Sequence, residues 1–451
     1  MEFTQDQLEA LKQFELFDRS ESPYRCFVLK GYAGTGKTTL IAHLVYKFSE
    51  QRRKLKLMAP TGRAAKVMSV YANYPAGTIH KQIYFLSDAI DGSGLVRAKN
   101  MYKNTMFVVD EASMVGIESS KAEGNLLQDL LNYVYAGDGC SLLLVGDPGQ
   151  LPPVGQTDSP ALQTEYLAYH YPGLTVFTHT LREVVRQAAD SQITANATFL
   201  RALTQFEPPY FNQIGKEVAS IQGDSLLDAL DQARSTGDES FIMLTISNKR
   251  ASKWNQEIRN RLFQYEESVV RGEWLMVVKN NYFWAADSEM GLIANGELMT
   301  VVKIIREEHL YGMDFIHLIA TFSSEPTKER KVICFKGVLD SELPNFSRDV
   351  MKTLFFEIEK DYMHERNKRK RYQLILKNPY FNALQVKYAY CVTAHKAQGG
   401  QWDTVFVDYG FIPENMDKRE YIRWLYTCLT RAKLKLYLLN FPDDYFTIPL
   451  H

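Results

Sequence analysis

The sequence predicts an α/β fold with two parallel sheets and an inserted antiparallel unit, and three observations carry that reading. Short apolar runs recur in the first part of the chain with helical patterns between them. A second set of such runs returns later, split between residues 241–245 and 389–439. Between its parts lies a stretch whose strands are punctuated by hairpin turns.

The first set comprises residues 27–29, 55–58, 107–109 and 142–145, most of them running into a polar residue. That pattern fits a parallel sheet covered by helices on both faces, with its ligands at the carboxyl ends of the strands. The second set is 241–245, 389–392, 405–407 and 434–439. Residues 263–385 differ: the runs 274–278, 298–304 and 315–319 are separated by Asn-Gly and Tyr-Gly turns and predict a small antiparallel barrel. A shorter insertion at 82–104, with Asp91-Gly-Ser-Gly94 at its centre, predicts a hairpin. No internal repeat or low-complexity tract is present.

Bulk properties narrow the function classes. A chain of 451 residues predicts two to four domains. The net charge of −1, from 52 Lys+Arg against 53 Asp+Glu, requires any nucleic-acid contact to come from a local groove. Cys26, Cys140, Cys334, Cys391 and Cys428 are scattered, odd in number and lack a C-x-x-C pair. They argue against a disulfide framework or zinc site and fit a reducing, cytosolic setting. The polar N-terminus lacks a signal-like apolar region, and no run of 18 apolar residues predicts a membrane span.

The chemistry begins at Gly31-Tyr-Ala-Gly-Thr-Gly-Lys-Thr38, which follows an apolar strand and opens a helix. This G-x-x-x-x-G-K-T spacing makes a phosphate-binding loop whose backbone amides curl around a triphosphate. Gly34, Thr35, Gly36, Lys37, Thr38 and Thr39 are the expected contacts. Lys37 reaches the β/γ oxygens, the Thr38 hydroxyl holds magnesium, and the helix adds its positive end. Val108-Val-Asp-Glu-Ala-Ser113 ends a strand in two carboxylates. Asp110 suits the magnesium sphere and Glu111 suits orientation of the attacking water. Beyond a third strand, Gly146-Asp-Pro-Gly-Gln-Leu-Pro-Pro-Val154 places Gln150 where it could sense a γ-phosphate.

With these motifs in order, the chain resembles a superfamily 1 DNA helicase of the RecD/Dda-like branch, through stretches spread from Phe3 to Arg431. The resemblance implies two RecA-like domains, 1–180 and 181–262 plus 386–451, with an inserted SH3-like barrel at 263–385. Asn280-Asn-Tyr282 and Asn295-Gly-Glu297 resemble the start of that barrel. Phe3-Thr-Gln-Asp-Gln7 resembles the adenine-reading motif and assigns Gln7 to the base edge. Ala59-Pro-Thr-Gly-Arg-Ala-Ala65 and Thr78-Ile-His80 resemble loops on single-stranded DNA, implying contacts from Thr61, Arg63, Thr78 and His80. Leu181-Arg-Glu-Val-Val-Arg-Gln187 implies that Arg186 reaches the γ-phosphate. Val392-Thr-Ala-His-Lys-Ala-Gln-Gly399 places Thr393 and His395 on DNA and Gln398-Gly399 near the nucleotide. Leu425-Tyr-Thr-Cys-Leu-Thr-Arg431 supplies a second arginine, Arg431. Gln401 stands where a ribose-binding glutamate often sits, and its amide can still bond a ribose hydroxyl.

The family further implies ATP and Mg2+ as cofactors, single-stranded DNA and duplex junctions as partners, 5′→3′ movement and a monomer. The hairpin at 82–104 falls where the family keeps its strand-separating pin, although its tip lacks an aromatic residue. Other readings stand beside these. Arg186 and Arg431 could be surface ion-pair partners, and His395 an interior histidine. The basic run 366–371 reads as a solvated helix face, and Trp254 and Trp424 read as core. A nucleotide-gated switch that grips nucleic acid without unwinding it, and an RNA-directed helicase, remain the alternatives.

Overall fold

Eight described strands lie in the first part of the chain: β1 (Arg25–Gly31), β2 (Lys54–Ala59), β3 (Ala76–Thr78), β4 (Tyr84–Leu86), β5 (Leu95–Arg97), β6 (Thr105–Val109), β7 (Ser141–Gly146) and β8 (Thr175–Leu181). The computed structural model describes residues 3–86, 95–117, 125–185, 190–203, 209–212, 214–235, 241–285, 292–414 and 416–446. Six of these strands form one parallel sheet in the order β3-β2-β6-β7-β1-β8. Every residue of β6 and β7 is buried, as a strand covered on both faces must be.

The strand period of two decides which side chain meets which helix layer. On β1 and β7, Phe27, Leu29, Leu143 and Val145 pack with Phe14, Leu40 and Leu44 of the helices Gln5–Arg19 and Lys37–Glu50. Cys26, Val28, Leu142 and Leu144 face the other way, onto Leu127, Leu130 and Val134 of the helix Leu126–Tyr135. Each such fully buried side chain is worth about 1.5–3 kcal/mol. Since β6, β7 and β1 are neighbours, the loops leaving their carboxyl ends at Asp110, Asp147 and Tyr32 open side by side.

The hairpin insertion begins as expected, with β4 and β5 paired antiparallel in the register Tyr84–Arg97, Phe85–Val96 and Leu86–Leu95. Asp129 anchors its base, accepting from Tyr84 Oη at 2.8 Å and from Arg97 at 3.1 Å. Its tip, including Asp91-Gly-Ser-Gly94, lies outside the described residues.

The later strands are β9 (Val218–Ile221), β10 (Phe241–Thr245), β11 (Trp274–Val277), β12 (Leu298–Leu310), β13 (Met313–Phe322), β14 (Glu325–Phe335), β15 (Val386–Tyr388), β16 (Cys391–Thr393), β17 (Trp402–Asp408) and β18 (Ala432–Leu439). A second parallel sheet has the order β16-β10-β17-β18-β9, so β10 pairs on both sides with strands that come much later in the chain. The inserted unit is an antiparallel sheet in the order β14-β13-β12-β11-β15. Tyr311 and Gly312, at φ 52° and 71°, make the tight turn between β12 and β13.

A closed barrel is not seen among the described residues. Among the described residues the edges of the inserted sheet meet at the bridge between Cys334 and Leu384. There Phe335 N donates to Leu384 O at 3.0 Å and Leu384 N to Ile333 O at 2.7 Å. The insert also carries the helices Arg348–Glu359 and Lys368–Leu376, whose Leu354, Ile358 and Ile375 pack on Val278, Phe315 and Phe335. The basic run falls at this second helix, where Arg371 pairs with Glu359 and Lys370 with Glu365. β15 pairs with β11 and so joins the inserted sheet, beyond the expected boundary at 385. One apolar core crosses that boundary: Leu230, Phe241, Met243 and Phe406 of the second parallel unit pack with Leu275, Val301, Ile316 and Leu318 of the insert. Trp424 lies in the core at 1% exposure, and Trp254 is half-buried against the shared core.

Candidate active site

The phosphate loop links β1 to the helix Lys37–Glu50, and Gly34 and Gly36 take φ values of 76° and 81°. That left-handed backbone turns successive amides into the loop and suits glycine. Lys37 Nζ donates to Gly31 O at 2.7 Å and Tyr32 O at 3.0 Å, and lies 3.9 Å from the Asp147 carboxylate. Thr35 is buried, its hydroxyl closing the loop onto Tyr32 O at 2.8 Å. Thr38 is exposed and Thr39 half-buried in the first helical turn.

Gln7 braces the loop from behind. Its side-chain carbonyl accepts from Thr4 N at 3.0 Å in a capping box, and its Nε2 donates to Thr35 O at 3.1 Å. Gln7 is buried and committed on both sides, so one amide N–H remains for a base edge.

Asp110 and Glu111 follow β6. Tyr71 Oη donates to Asp110 at 2.6 Å and Glu111 N donates to its other oxygen at 2.9 Å. Burial raises the pKa of both carboxyls. For Glu111 the Arg431 charge opposes that rise, while Asp110 and Asp147 add to it. Asp110 and the exposed Thr38 hydroxyl, at the start of the helix after the loop, are hard-oxygen groups of the kind that suits Mg2+. Asp110, Glu111, Lys37 and Arg431 thus share one electrostatic field. Among the described residues no cluster of three or more His, Cys, Asp or Glu with metal-holding geometry is found.

The second parallel unit closes this corner through three side chains, with Arg431 near enough to act on the Glu111 charge. Tyr426 Oη accepts from Ala33 N at 2.8 Å and donates to Asp147 at 2.7 Å, tying the phosphate loop to the carboxyl end of β7. Thr427 Oγ1 accepts from Leu151 N at 2.9 Å, and Gln398 Nε2 donates to Leu151 O at 2.7 Å. Arg431 is buried at 3% exposure. Its guanidinium donates to Thr427 O, Gly400 O and Thr430 Oγ1 at 3.1–3.2 Å, all neutral acceptors. Gln150 is also buried, and its side-chain carbonyl has no hydrogen-bond partner among the described residues. An unmet buried acceptor costs about 1–3 kcal/mol, so it marks a group placed for something other than packing.

The expected DNA residues stand at strand-to-helix junctions. Thr61 follows β2 and caps the helix Gly62–Ala72 by accepting from Ala64 N at 3.2 Å. Thr78 ends β3 and caps the helix Ile79–Ile83 through Lys81 N at 3.1 Å. Thr393 ends β16 as N-cap of Ala394–Ala397, with its hydroxyl unused as a cap. A cleft of about 790 Å3 between the first unit and the insert is lined by Gly62, Lys66, Thr78, Lys81, Glu297 and Ser324, among others. Burial lowers the pKa of His80 to about 4 and that of His395 in the same direction, so both rings are neutral near pH 7. Arg63 stacks on Trp402, 3.8 Å from its ring centre, and donates to Gln401 O at 3.4 Å. It therefore joins the two halves of the molecule in this state. Gly399, at φ 74°, packs where a Cβ would lie 2.6 Å from Ala64 Cβ, beside Thr61. The Gln401 backbone meets Arg63, and its side chain is exposed.

Comparison with known proteins accords with this layout. Residues 2–205 match the model of an AAA domain family, and residues 388–439 match the UvrD-like helicase C-terminal domain. The ATP-dependent DNA helicase dda of Enterobacteria phage T4 is 25% identical over 61% of this chain and 62% of its own length. The ATP-dependent RecD2 DNA helicase of Deinococcus radiodurans is 32% identical over 45% of this chain and 25% of its own. In the order of its motifs the chain is similar to superfamily 1 helicases of the RecD/Dda kind.

Full-length similarity to an uncharacterized protein of Acanthamoeba polyphaga mimivirus, 24% identical over 96% of this chain and 98% of that one, adds no function. The chain spans only 36% of a 24%-identical uncharacterized protein of Methanocaldococcus jannaschii. A solved structure described as Pif1 helicases unwinding forked duplex DNA has a TM-score of 0.50 at 17% identity, covering 100% of this chain and 95% of that one, and shares the fold.

Arg186 lies outside the described residues. Tyr426 and Thr427 hold the site together through partners on distant segments, whereas Asp147, in the same strand-end motif as Gln150, also accepts from Gly149 N at 2.8 Å. Lys396 stands inside the motif that holds His395. It lines a cavity with Lys387 and Thr393, and burial followed by the Lys387 charge brings its pKa down to about 8.

Proposed function

We propose that the chain is an ATP-dependent DNA helicase that moves 5′→3′ along single-stranded DNA and opens duplexes at its leading edge. The single observation that carries this reading is the seam at Tyr426, Thr427 and Gln398, where the second parallel unit grips the phosphate loop and the segment that follows β7 of the first. A site shared in this way couples nucleotide state to the separation of two units, each bearing loops of the DNA-contacting kind.

In this mechanism Lys37 leaves the carbonyls of Gly31 and Tyr32 to neutralise the β/γ-phosphates. Glu111, with its raised pKa, orients and deprotonates the attacking water, and Gln150 positions it. Thr38 and Asp110 hold Mg2+, which when bound neutralises phosphate charge. Arg431 supplies positive charge from the second unit as the cleft closes, and Arg186 is the second arginine that this reading assigns to the γ-phosphate. Thr61, Arg63, Thr78 and His80 hold the strand on one unit, and Thr393 and His395 on the other. The inserted unit, an SH3-like element in this reading, covers the strand along the cleft beside Thr78.

Strand displacement with matched 5′-tailed and 3′-tailed duplexes tests the proposal. The 5′-tailed substrate is expected to open with ATP, and Lys37→Ala to abolish opening while single-strand binding persists. Preferential opening of the 3′-tailed duplex would reject the polarity.

A further inference from the structure

Arg201 sits at the end of the helix Gln192–Ala202, whose Ile193 and Leu200 pack in the core of the second parallel unit, yet its guanidinium lies over the ring of Tyr32 in the phosphate loop, 4.1 Å from the ring centre. One amino nitrogen donates weakly to Arg182 O at 3.4 Å. The other is buried, and among the described residues it has no hydrogen-bond partner and no carboxylate pairs with this side chain. An arginine held in a fixed plane with an unmet buried donor is costly unless an anion completes it. The neighbouring arginines differ. Arg419 and Arg423 both share Asp158, at 3.2 Å and 2.8 Å. All three line one cleft of about 930 Å3 together with Tyr32, Gly149 and Tyr426. That cleft reaches the corner where Tyr426 bridges Ala33 N and Asp147.

We infer that Arg201 binds a phosphate oxyanion at the rim of the nucleotide site, as a further arginine of the reaction beside Arg431. The inference rests on the ATPase reading above. Stacking on Tyr32 fixes the guanidinium plane, so its free N–H vectors are pre-aimed and little rotamer entropy is lost on binding. A planar fork suits two oxygens of one phosphate, and a lysine ammonium on a flexible stem would not reproduce it. Two sources share this chemistry: the terminal phosphate of bound nucleotide, and inorganic phosphate leaving through the cleft after cleavage.

The test uses the full chain with Arg201→Ala and Arg201→Lys, the second retaining charge where the first fails to fold. DNA-stimulated hydrolysis, ATP and ADP affinity, and inhibition by inorganic phosphate are measured side by side. If the terminal phosphate is the ligand, kcat falls at least about tenfold and ATP affinity drops while ADP affinity holds. If departing phosphate is the ligand, inhibition by inorganic phosphate weakens at least about tenfold and a burst of cleavage precedes slow release. Either result supports the inference. Equal losses for ATP and ADP, or no change in any readout, would overturn it and leave Arg201 as packing for Tyr32. Lys37→Ala run in parallel separates the two readings, because its retained activity would instead reject the phosphate-loop assignment.

Discussion

Gly36 illustrates how little room the nucleotide site leaves at single positions. Its φ of 81° is left-handed, and a Cβ there would collide with Gln7 Nε2. Gly36→Ala therefore forces both a backbone strain of about 1–3 kcal/mol and a shift of Gln7, and is expected to weaken ATP binding about tenfold or more in a fluorescent-nucleotide titration. Glu111→Gln keeps shape but removes the base, so ATP is expected to bind and persist uncleaved in single-turnover assays. Because burial raises the Glu111 pKa, hydrolysis by the parent is lost as pH falls through a value above the ordinary carboxylate range. Lys396 gives the opposite sign: charged below about 8 and neutral above it, it is expected to make single-strand affinity decline across that pH, a step absent in Lys396→Gln. Lys37, Asp110 and Glu111 were legible in the sequence because each belongs to a short motif whose spacing is the chemistry. Tyr426 was not, since a hydroxyl serving Ala33 and Asp147 depends on packing between segments hundreds of residues apart.

Among the elements, strands were easier to read than their closure. Apolar runs placed β1, β2, β6, β7 and β10 because buried parallel strands are apolar throughout. The inserted unit was legible as antiparallel strands, through turns such as Tyr311-Gly312, but not as an open sheet with two helices. Its edge contact at Cys334 and Leu384 depends on curvature, which no local residue pattern encodes. The hairpin base is fixed by Asp129 through Tyr84 and Arg97, which would hold whatever the tip touches. Deleting residues 91–94 is expected to reduce duplex opening more than DNA-stimulated hydrolysis, measured on the same preparation. Equal loss of both would remove the pin assignment.

For the whole molecule, domain limits were the least legible feature, because the core of the second parallel unit continues into the insert. A chain of 1–385 lacks β15 to β18, and is expected to fail to form the second sheet while its first sheet still binds ATP. Limited proteolysis that leaves only the first unit intact checks this outcome. The order β16-β10-β17 has a consequence for birth at the ribosome. β10 is buried along its whole length and apolar in all but Thr245, yet both its neighbours are translated only after the entire insert. Throughout that interval the nascent chain carries a sticky strand with two bare edges, so its safe production depends on chaperone cover or on the speed of elongation.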